Sequence, residues 1–502
     1  MVDLIDQIRH LLDAASMMHV GTADGDALAV ARARLDEPLR VAVAGRVKAG
    51  KSTLVNALLR DQLAPTDVGE CTRVLTWYRF GDSPRLVVHP RGGPPQPVAF
   101  RVGERGFEPH LGTLRADDIE HMVLDWPAAS LSTITLVDTP GIDSVHDDIA
   151  ERSARALAPD DGTVGFADAV VYVVRHMHSA DVRFLEAFAP TSRLWSSPFQ
   201  CVGVLGRADE VGVARLDAMD VASRVAARYA ADARVRRLCA DVMPVSALLA
   251  QGAVALTEVD VVALRVLADA DRAAPGEATL DATRFVSGEI GSCDVDVKSA
   301  TRARLLDRLG LWGVRLAIDM LRADPATSTR LLAEHLEAAS GIDALRHHLQ
   351  HRLAPRRRVL KARSALAVLD EVARRSRLPG SAELLTRVER LVDASHELRE
   401  AALLSDLRAM DLGFTSVELD DAERLLGGSG AAPAERLGVD AWAPTVVRGA
   451  VATEQLERWH RRANDPFVSP TAAHALRVLV RTGEGLVSAL ANPSPFPPPS
   501  PD

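Results

Sequence analysis

The sequence predicts an α/β domain built on a mostly parallel sheet and, after it, an all-α helical bundle. Three observations predict this. Short β-rich runs alternate with helical stretches from Pro38 to about residue 250, a glycine-rich turn joins the first strand to the helix that follows, and beyond Ser246 apolar residues recur at helical spacing.

The chain has 502 residues, which at about 150 residues per domain is too long for one core. Its net charge of -9 argues against general affinity for nucleic acid. Cys71, Cys201, Cys239 and Cys293 lie far apart without paired spacing, so neither a disulfide framework nor a zinc site is indicated and a reducing, cytoplasmic setting fits. The opening "MVDLIDQIRHLLDAA" carries acid where a secretory signal needs positive charge. No apolar stretch approaches the roughly 18 residues that span a bilayer, so any membrane contact is expected to be peripheral.

Leu4, Ile5, Ile8, Leu11, Leu12 and Ala15 make an amphipathic helix that needs a partner face, and residues 1–37 are expected to join the later bundle. "LRVAVAG", "RVLTWYRF", "RLVVH", "MVLDW", "TITLVD", "DAVVYVV", "CVGVLG" and "VMPVS" are the strands of the α/β domain, which should span 38–353 and close with the helix "SGIDALRHHLQHRL". Pro355 marks the boundary with a helical neck or trunk, 354–490. There Ala362, Ala365, Leu366, Leu369, Val372 and Ala373 form one stripe, ended by Pro379-Gly380. Leu384, Val388, Leu391, Ser395, Leu398 and Ala402 form a seam on a second helix, and a third starts at Ser469 as N-cap with Pro470 behind it. The proline-rich tail, 491–502, is expected to be disordered.

Gly45 to Ser52, "GRVKAGKS", satisfies G-x-x-x-x-G-K-[ST] between a strand and a helix, where backbone amides point at phosphate oxygens. The turn, Gly45, Val47, Lys48, Ala49, Gly50, Lys51, Ser52 and Thr53, is therefore assigned to nucleotide binding. Lys51 should reach the β- and γ-phosphates, and the Ser52 hydroxyl should meet Mg²⁺. In "VDTPG", Asp138 can hold Mg²⁺ through water and the Gly141 amide can meet the γ-phosphate. Thr72, in "GECTRVLTW", is placed to serve the metal and the attacking water. In "GRADE", Asp209 can accept from two donors on guanine and Arg207 can lie along the base. The usual pattern has Asn or Thr, then Lys, in place of Gly206 and Arg207, so Gly206 cannot tie this loop back with a side chain. An amide in the Ser246-Ala247 turn of "VSAL" would read the guanine O6. GTP and Mg²⁺ are the expected ligands.

These motifs, with "SGIDALR" and a helical remainder, resemble those of bacterial dynamin-like GTPases. The resemblance implies a dynamin-type GTPase domain beside a helical neck, pairing of GTPase domains into a dimer or higher oligomer, and a role at membranes or in a membrane-stress or drug response. Anionic phospholipid at the inner face of the plasma membrane, or a second dynamin-like protein, would be the partners it implies besides another copy of the chain. One feature departs from the family: eukaryotic dynamins have a catalytic glutamine where this chain has Val47, and a serine where it has Lys48.

Lys48 stands out on composition as well. The chain holds four lysines, Lys48, Lys51, Lys298 and Lys361, and two of them share this turn. An ammonium kept where arginine supplies nearly every other cation suggests a charge aimed at the phosphates, alongside the plainer reading of a lysine paired with a nearby carboxylate. Catalytic roles are thus assigned to Lys48, Lys51 and Thr72, and metal-holding roles to Ser52, Thr72 and Asp138. A regulatory GTPase without lipid contact, or a nucleotide-binding scaffold with negligible turnover, are the rival readings.

Elsewhere, His347 and His351 share a helix face near His348 without a third metal ligand, so a solvated face is expected. The run containing Arg352, Arg356, Arg357, Arg358, Lys361, Arg363, Arg374 and Arg375 suits the solvated outer face of a neck helix better than a lipid surface. Trp459 beside Arg461 and Arg462 has the pattern of an interfacial anchor, and 427–444 that of a flexible tip. Neither stretch has a run of exposed hydrophobic residues.

Overall fold

The computed structural model describes residues 3–65, 74–103, 106–140, 167–188, 198–212, 214–271, 276, 279–287 and 297–492. Thr72, Gly141 and the tail beyond 492 lie outside the described residues. Eleven strands are described: β1 (Leu39–Gly45), β2 (Leu75–Phe80), β3 (Arg85–Pro90), β4 (Gln96–Val98), β5 (Phe100–Gly103), β6 (Gly106–Pro109), β7 (Ile119–Trp126), β8 (Ile134–Asp138), β9 (Ala169–Val174), β10 (Cys201–Gly206) and β11 (Val242–Val245).

Nine of them form one mixed sheet in the order β11-β10-β9-β1-β8-β2-β7-β3-β4. From β11 to β8 every pairing is parallel; β2 runs antiparallel to β8 but parallel to β7, and β3 is antiparallel to both β7 and β4. β1, β9 and β10 are buried along their whole length, as strands covered on both faces must be. On one face Val41 and Val43 pack with Leu54, Val55 and Leu58 of the Lys51–Leu59 helix. On the other, Ala42, Ala44 and Tyr172 pack with Ala222 and Ala226 of the Ala218–Ala231 helix.

The expected α/β domain with a mostly parallel sheet and a helical remainder is what is found. Three strands escaped the sequence. β4, β5 and β6 have three or four residues each and contain proline or glycine, too little for an alternation to register, yet β5 and β6 pair as a hairpin in which Gly103 faces Gly106.

The Leu4–Met18 and Ala23–Arg34 helices pack against the Arg357–Arg375 and Ser381–Ala394 helices through Ile8, Leu12, Leu28, Leu366, Leu369 and Leu384. A further helical cluster gathers Leu404, Leu426, Trp459, Leu476 and Leu479. Several sequence expectations need correction here. The seam through Ser395 is two helices: Ser395 has φ -82° and ψ 114°, and its hydroxyl caps the His396–Ala409 helix by accepting from Leu398 N. The closing helix runs only over Ile342–His347 and widens into a π-helical turn, His348–Leu353. Trp459 is 2% exposed and belongs to a core, so it anchors no interface. The 427–444 stretch folds into the Pro433–Leu437 helix, with Ala434 and Leu437 buried. Exposed apolar side chains lie just beyond it: Trp442 is 93% exposed and Val446 83%. Phe467, at the far end of the Thr445–Ala463 helix, is also exposed. No single described helix is long and apolar enough to cross a membrane.

The basic run is a solvated face only in part: Arg358, Arg374 and Arg375 are exposed, but Lys361 and Arg363 point inward and are both 2% exposed. Lys361 meets Asp168, the residue before β9, at 2.7 Å. The same carboxylate accepts from Arg34 Nη2 at 2.7 Å and from the Arg40 backbone at 2.9 Å. Burial pushes the Asp168 carboxyl up, but the two cations and the Arg40 amide outweigh burial and hold it below the usual range. One buried anion therefore joins the N-terminal helices, the sheet and the neck helix. A second joint lies nearby, where the guanidinium groups of Arg356 and Arg408 rest on the Phe199 ring at 4.6 and 4.7 Å.

His348 is buried as well, and burial together with Arg352 lowers it to about 3, while the His347 and His351 rings lie 4.5 Å apart, tilted by 30°. Among the described residues no three or more His, Cys, Asp or Glu side chains cluster as metal ligands. On the sheet, Arg40, Trp77, His121 and His89 form a stack, and burial with its neighbours lowers His121 to about 4.

Removing the shared anion by Asp168→Ala leaves two buried cations without it, and the stability loss should be about 3–5 kcal/mol, read as a lower denaturant midpoint. His121 is folded in its neutral form, with its pKa below the unfolded value. Its contribution is therefore complete above about pH 6.5 and lost as pH falls towards about 4. The thermal midpoint should drop across that window, and His121→Phe should make the drop shallower.

Candidate nucleotide-binding and catalytic site

The site is assembled by strand ends. Parallel register sets Val43 beside Asp138 on β8 and Gly45 beside Val173 on β9. Gly45 has φ 149°, and a Cβ there would stand 2.2 Å from the Val173 carbonyl oxygen. The chain then turns through Lys48 at φ 62° and Gly50 at φ 97°, and enters the Lys51–Leu59 helix. The first amides of a helix have no partner within it, which makes such a start a ready cradle for anions.

Lys51 is buried and folds over this turn, its Nζ donating to Arg46 O at 3.0 Å. Ser52 Oγ donates to Asp138 Oδ2 at 2.9 Å. Asp138 Oδ1 is shut off from solvent and has no hydrogen-bond partner among the described residues. Burial pushes this carboxyl up to about 6, against the pull of Lys51 and Ser52. A hydroxyl and an orphaned carboxylate oxygen beneath a phosphate-type loop form a hard oxygen donor set suited to a divalent cation. Lys48 is exposed at the rim and makes no ion pair with a described carboxylate. Val47 beside it is exposed too.

At the other end, β10 stops at Gly206 against the same loop. A Cβ on Gly206 would lie 2.8 Å from Ala49 O and 2.9 Å from Val173 Cγ1. The side chain missing from the usual motif is thus replaced by direct backbone contact with the P-loop. Arg207 takes a left-handed conformation, φ 53°, and pairs with Glu210, which also receives Arg175. Asp209 is buried, which raises its carboxyl. Ser246 is buried, but its amide already donates to Ser340 O at 2.9 Å, whereas the Ala247 amide stands at the helix start.

Between the two ends lies a cleft of ≈ 150 Å³ lined by Ala49, Gly50, Thr53, Asp209, Ala247 and Leu248, with Arg207 at its edge. Sequence reasoning missed the contributions of Glu210, Arg175 and Leu248. Glu210 lay inside the quoted "GRADE", whereas nothing local marks Arg175 or Leu248.

A P-loop on a mixed sheet with a carboxylate beneath the loop, followed by a helical neck, is the architecture of a large P-loop protein, and residues 41–187 match the dynamin family. The chain belongs to that family. It is 38% identical over 458 residues, 91% of each chain, to the isoniazid-induced protein IniC of Mycobacterium tuberculosis. A bacterial dynamin-like protein of Nostoc punctiforme is 30% identical over 147 residues, which cover 27% of this chain and 20% of that one. A solved structure of an oligomerised bacterial dynamin pair aligns over 96% of this chain and 90% of its own, with 11% identity and a TM-score of 0.34.

Proposed function

We propose that this dynamin-family protein hydrolyses GTP with Mg²⁺, in the cytoplasm and peripherally at the inner face of the plasma membrane. The observation that carries the reading is the Ser52–Asp138 pair with its second carboxylate oxygen unsatisfied, directly below a P-loop whose lysine bridges the turn. Ser52 and Asp138, with Thr72, would hold the Mg²⁺, whose charge would offset that developing on the β- and γ-phosphates. Lys51 exchanges its Arg46 carbonyl for phosphate oxygens, and the Gly141 amide joins it. Asp209 accepts from the guanine edge, the Arg207 stem flanks the base, and the Ala247 amide donates to O6.

Lys48 supplies the remaining charge. Its ammonium is exposed at the loop rim without a described carboxylate partner, which supports reach towards the phosphates of its own nucleotide or those of a second copy across paired GTPase domains. Apolar Val47 cannot orient water, so hydrolysis leans on Thr72 and on this charge. The exposed Trp442, Val446 and Val447, followed by Arg448, support contact with an anionic phospholipid surface, the partner proposed besides another copy or a second dynamin-like protein. Val47 also favours the rival reading of a scaffold that binds nucleotide and barely turns it over.

Phosphate release measured against protein concentration, with and without anionic liposomes, separates these. Pairing-dependent catalysis should rise faster than linearly and rise further with lipid, whereas background release at every concentration would leave the scaffold. In single-turnover assays Lys48→Ala should slow hydrolysis about 10²-fold with nucleotide affinity retained; an unchanged rate removes its role. Asp209→Asn should move the preference from guanine to xanthine nucleotides, read by competition binding.

A further inference from the structure

The Ser299–Ala323 helix passes directly behind the base-reading loop and breaks there. Gly310 has φ 68° and ψ 169°, a conformation that is essentially reserved for glycine. A Cβ built at Gly310 would lie 3.5 Å from both Asp209 Oδ2 and Leu248 Cδ2, so the break is in contact range of the carboxylate that reads the base.

The helix is fixed on both sides of the break. Upstream, Arg304 and Arg308 both pair with Asp260, which is fully buried. Gly252, on the Ala247–Val254 helix, meets the Arg308 backbone so closely that a Cβ would fall 1.9 Å from its carbonyl oxygen, and a Cβ on Gly313 would fall 2.6 Å from Leu249 Cδ1. Downstream, the same helix fastens the far side of the loop. Trp312 Nε1 donates to Leu216 O at 3.4 Å, and the Arg315 guanidinium donates to Ala214 O as well as to Thr279 O.

We propose that this broken helix is the brace of the base-reading loop, and that Gly310, Trp312 and Arg315 are positioning residues that hold the Asp209 carboxylate square to the guanine edge. The proposal rests on the guanine-nucleotide reading above. A carboxylate that accepts from two donors must keep its plane aligned with both, and a loop that rocks keeps one bond and loses the other. Gly206 ties the loop to the P-loop through backbone contact alone, at the end of β10, so the plane of the Asp209 carboxylate depends on what packs behind it. Inosine nucleotides lack the exocyclic amine and ask for one bond, so the brace acts on discrimination between GTP and ITP more than on binding of the phosphates.

The test is calorimetric binding of GTP and ITP, each with Mg²⁺, to wild type, Trp312→Phe, Arg315→Ala, Asp209→Ala and the Arg315→Ala/Asp209→Ala double variant, with circular dichroism to verify folding. Trp312→Phe removes the donor while keeping an aromatic ring in the core, so it remains informative if Arg315→Ala does not fold. Wild type should prefer GTP about tenfold, the value of one hydrogen bond to a charged group. That ratio should fall to about twofold in Arg315→Ala and be reduced in Trp312→Phe, with ITP affinity and kcat at saturating GTP little changed. In the Asp209→Ala background, Arg315→Ala should cost nothing more. A preserved ratio in both single variants, or losses that add in the double variant, overturns the brace while the guanine reading stands. A wild type that does not distinguish GTP from ITP and ATP overturns the guanine reading and the brace together.

Discussion

The parallel register of β1 between β8 and β9 is the constraint on which the site depends. Neighbouring strands that run in one direction end at one edge, so Gly45, Asp138 and Val174 arrive together although well over a hundred residues separate the first from the last. β10 continues the series and delivers Gly206 to the same edge. The two ends of the cleft are then a matter of strand length, and the loops add chemistry to a geometry already set by backbone hydrogen bonds.

The same strands carry the connection to the helices. β9 begins next to Asp168, whose carboxylate is shared by Arg34 and Lys361, and β10 begins next to Phe199, which lies under Arg356 and Arg408. Both joints use cations from the helical part against one group on the sheet. Three elements distant in sequence meet at a buried anion, and this makes the N-terminal helices part of the neck in energetic as well as spatial terms. A buried charge with its partners in place is held firmly because removing any one of them strands the others.

Most of the sheet was legible because continuous apolar runs such as "AVVYVV" can only be buried strands in this context, and the P-loop was legible because its glycines and lysine are tied by backbone geometry. What the sequence hid was direction and distance. Lys361 and Arg363 look like solvated charges until the fold turns them inward towards the sheet and bundle. Trp459 has arginines beside it in sequence, yet its ring faces a core formed by residues such as Leu404 and Leu476. Ser395 sits at a seam position, but its hydroxyl satisfies a backbone amide better than a continuing helix would. In the site, the contact of Gly206 with Ala49 is invisible locally because it is the absence of a side chain that permits it.

β10 has one further property. Its six residues form a rod about 20 Å long, flanked at its beginning by the arginine pair on Phe199 and opening at its end onto the cleft beside Asp209. A stiff, fully buried strand cannot absorb displacement along its axis by bending. A displacement of the cleft edge along that axis would therefore bear on the two arginines that cover the Phe199 ring.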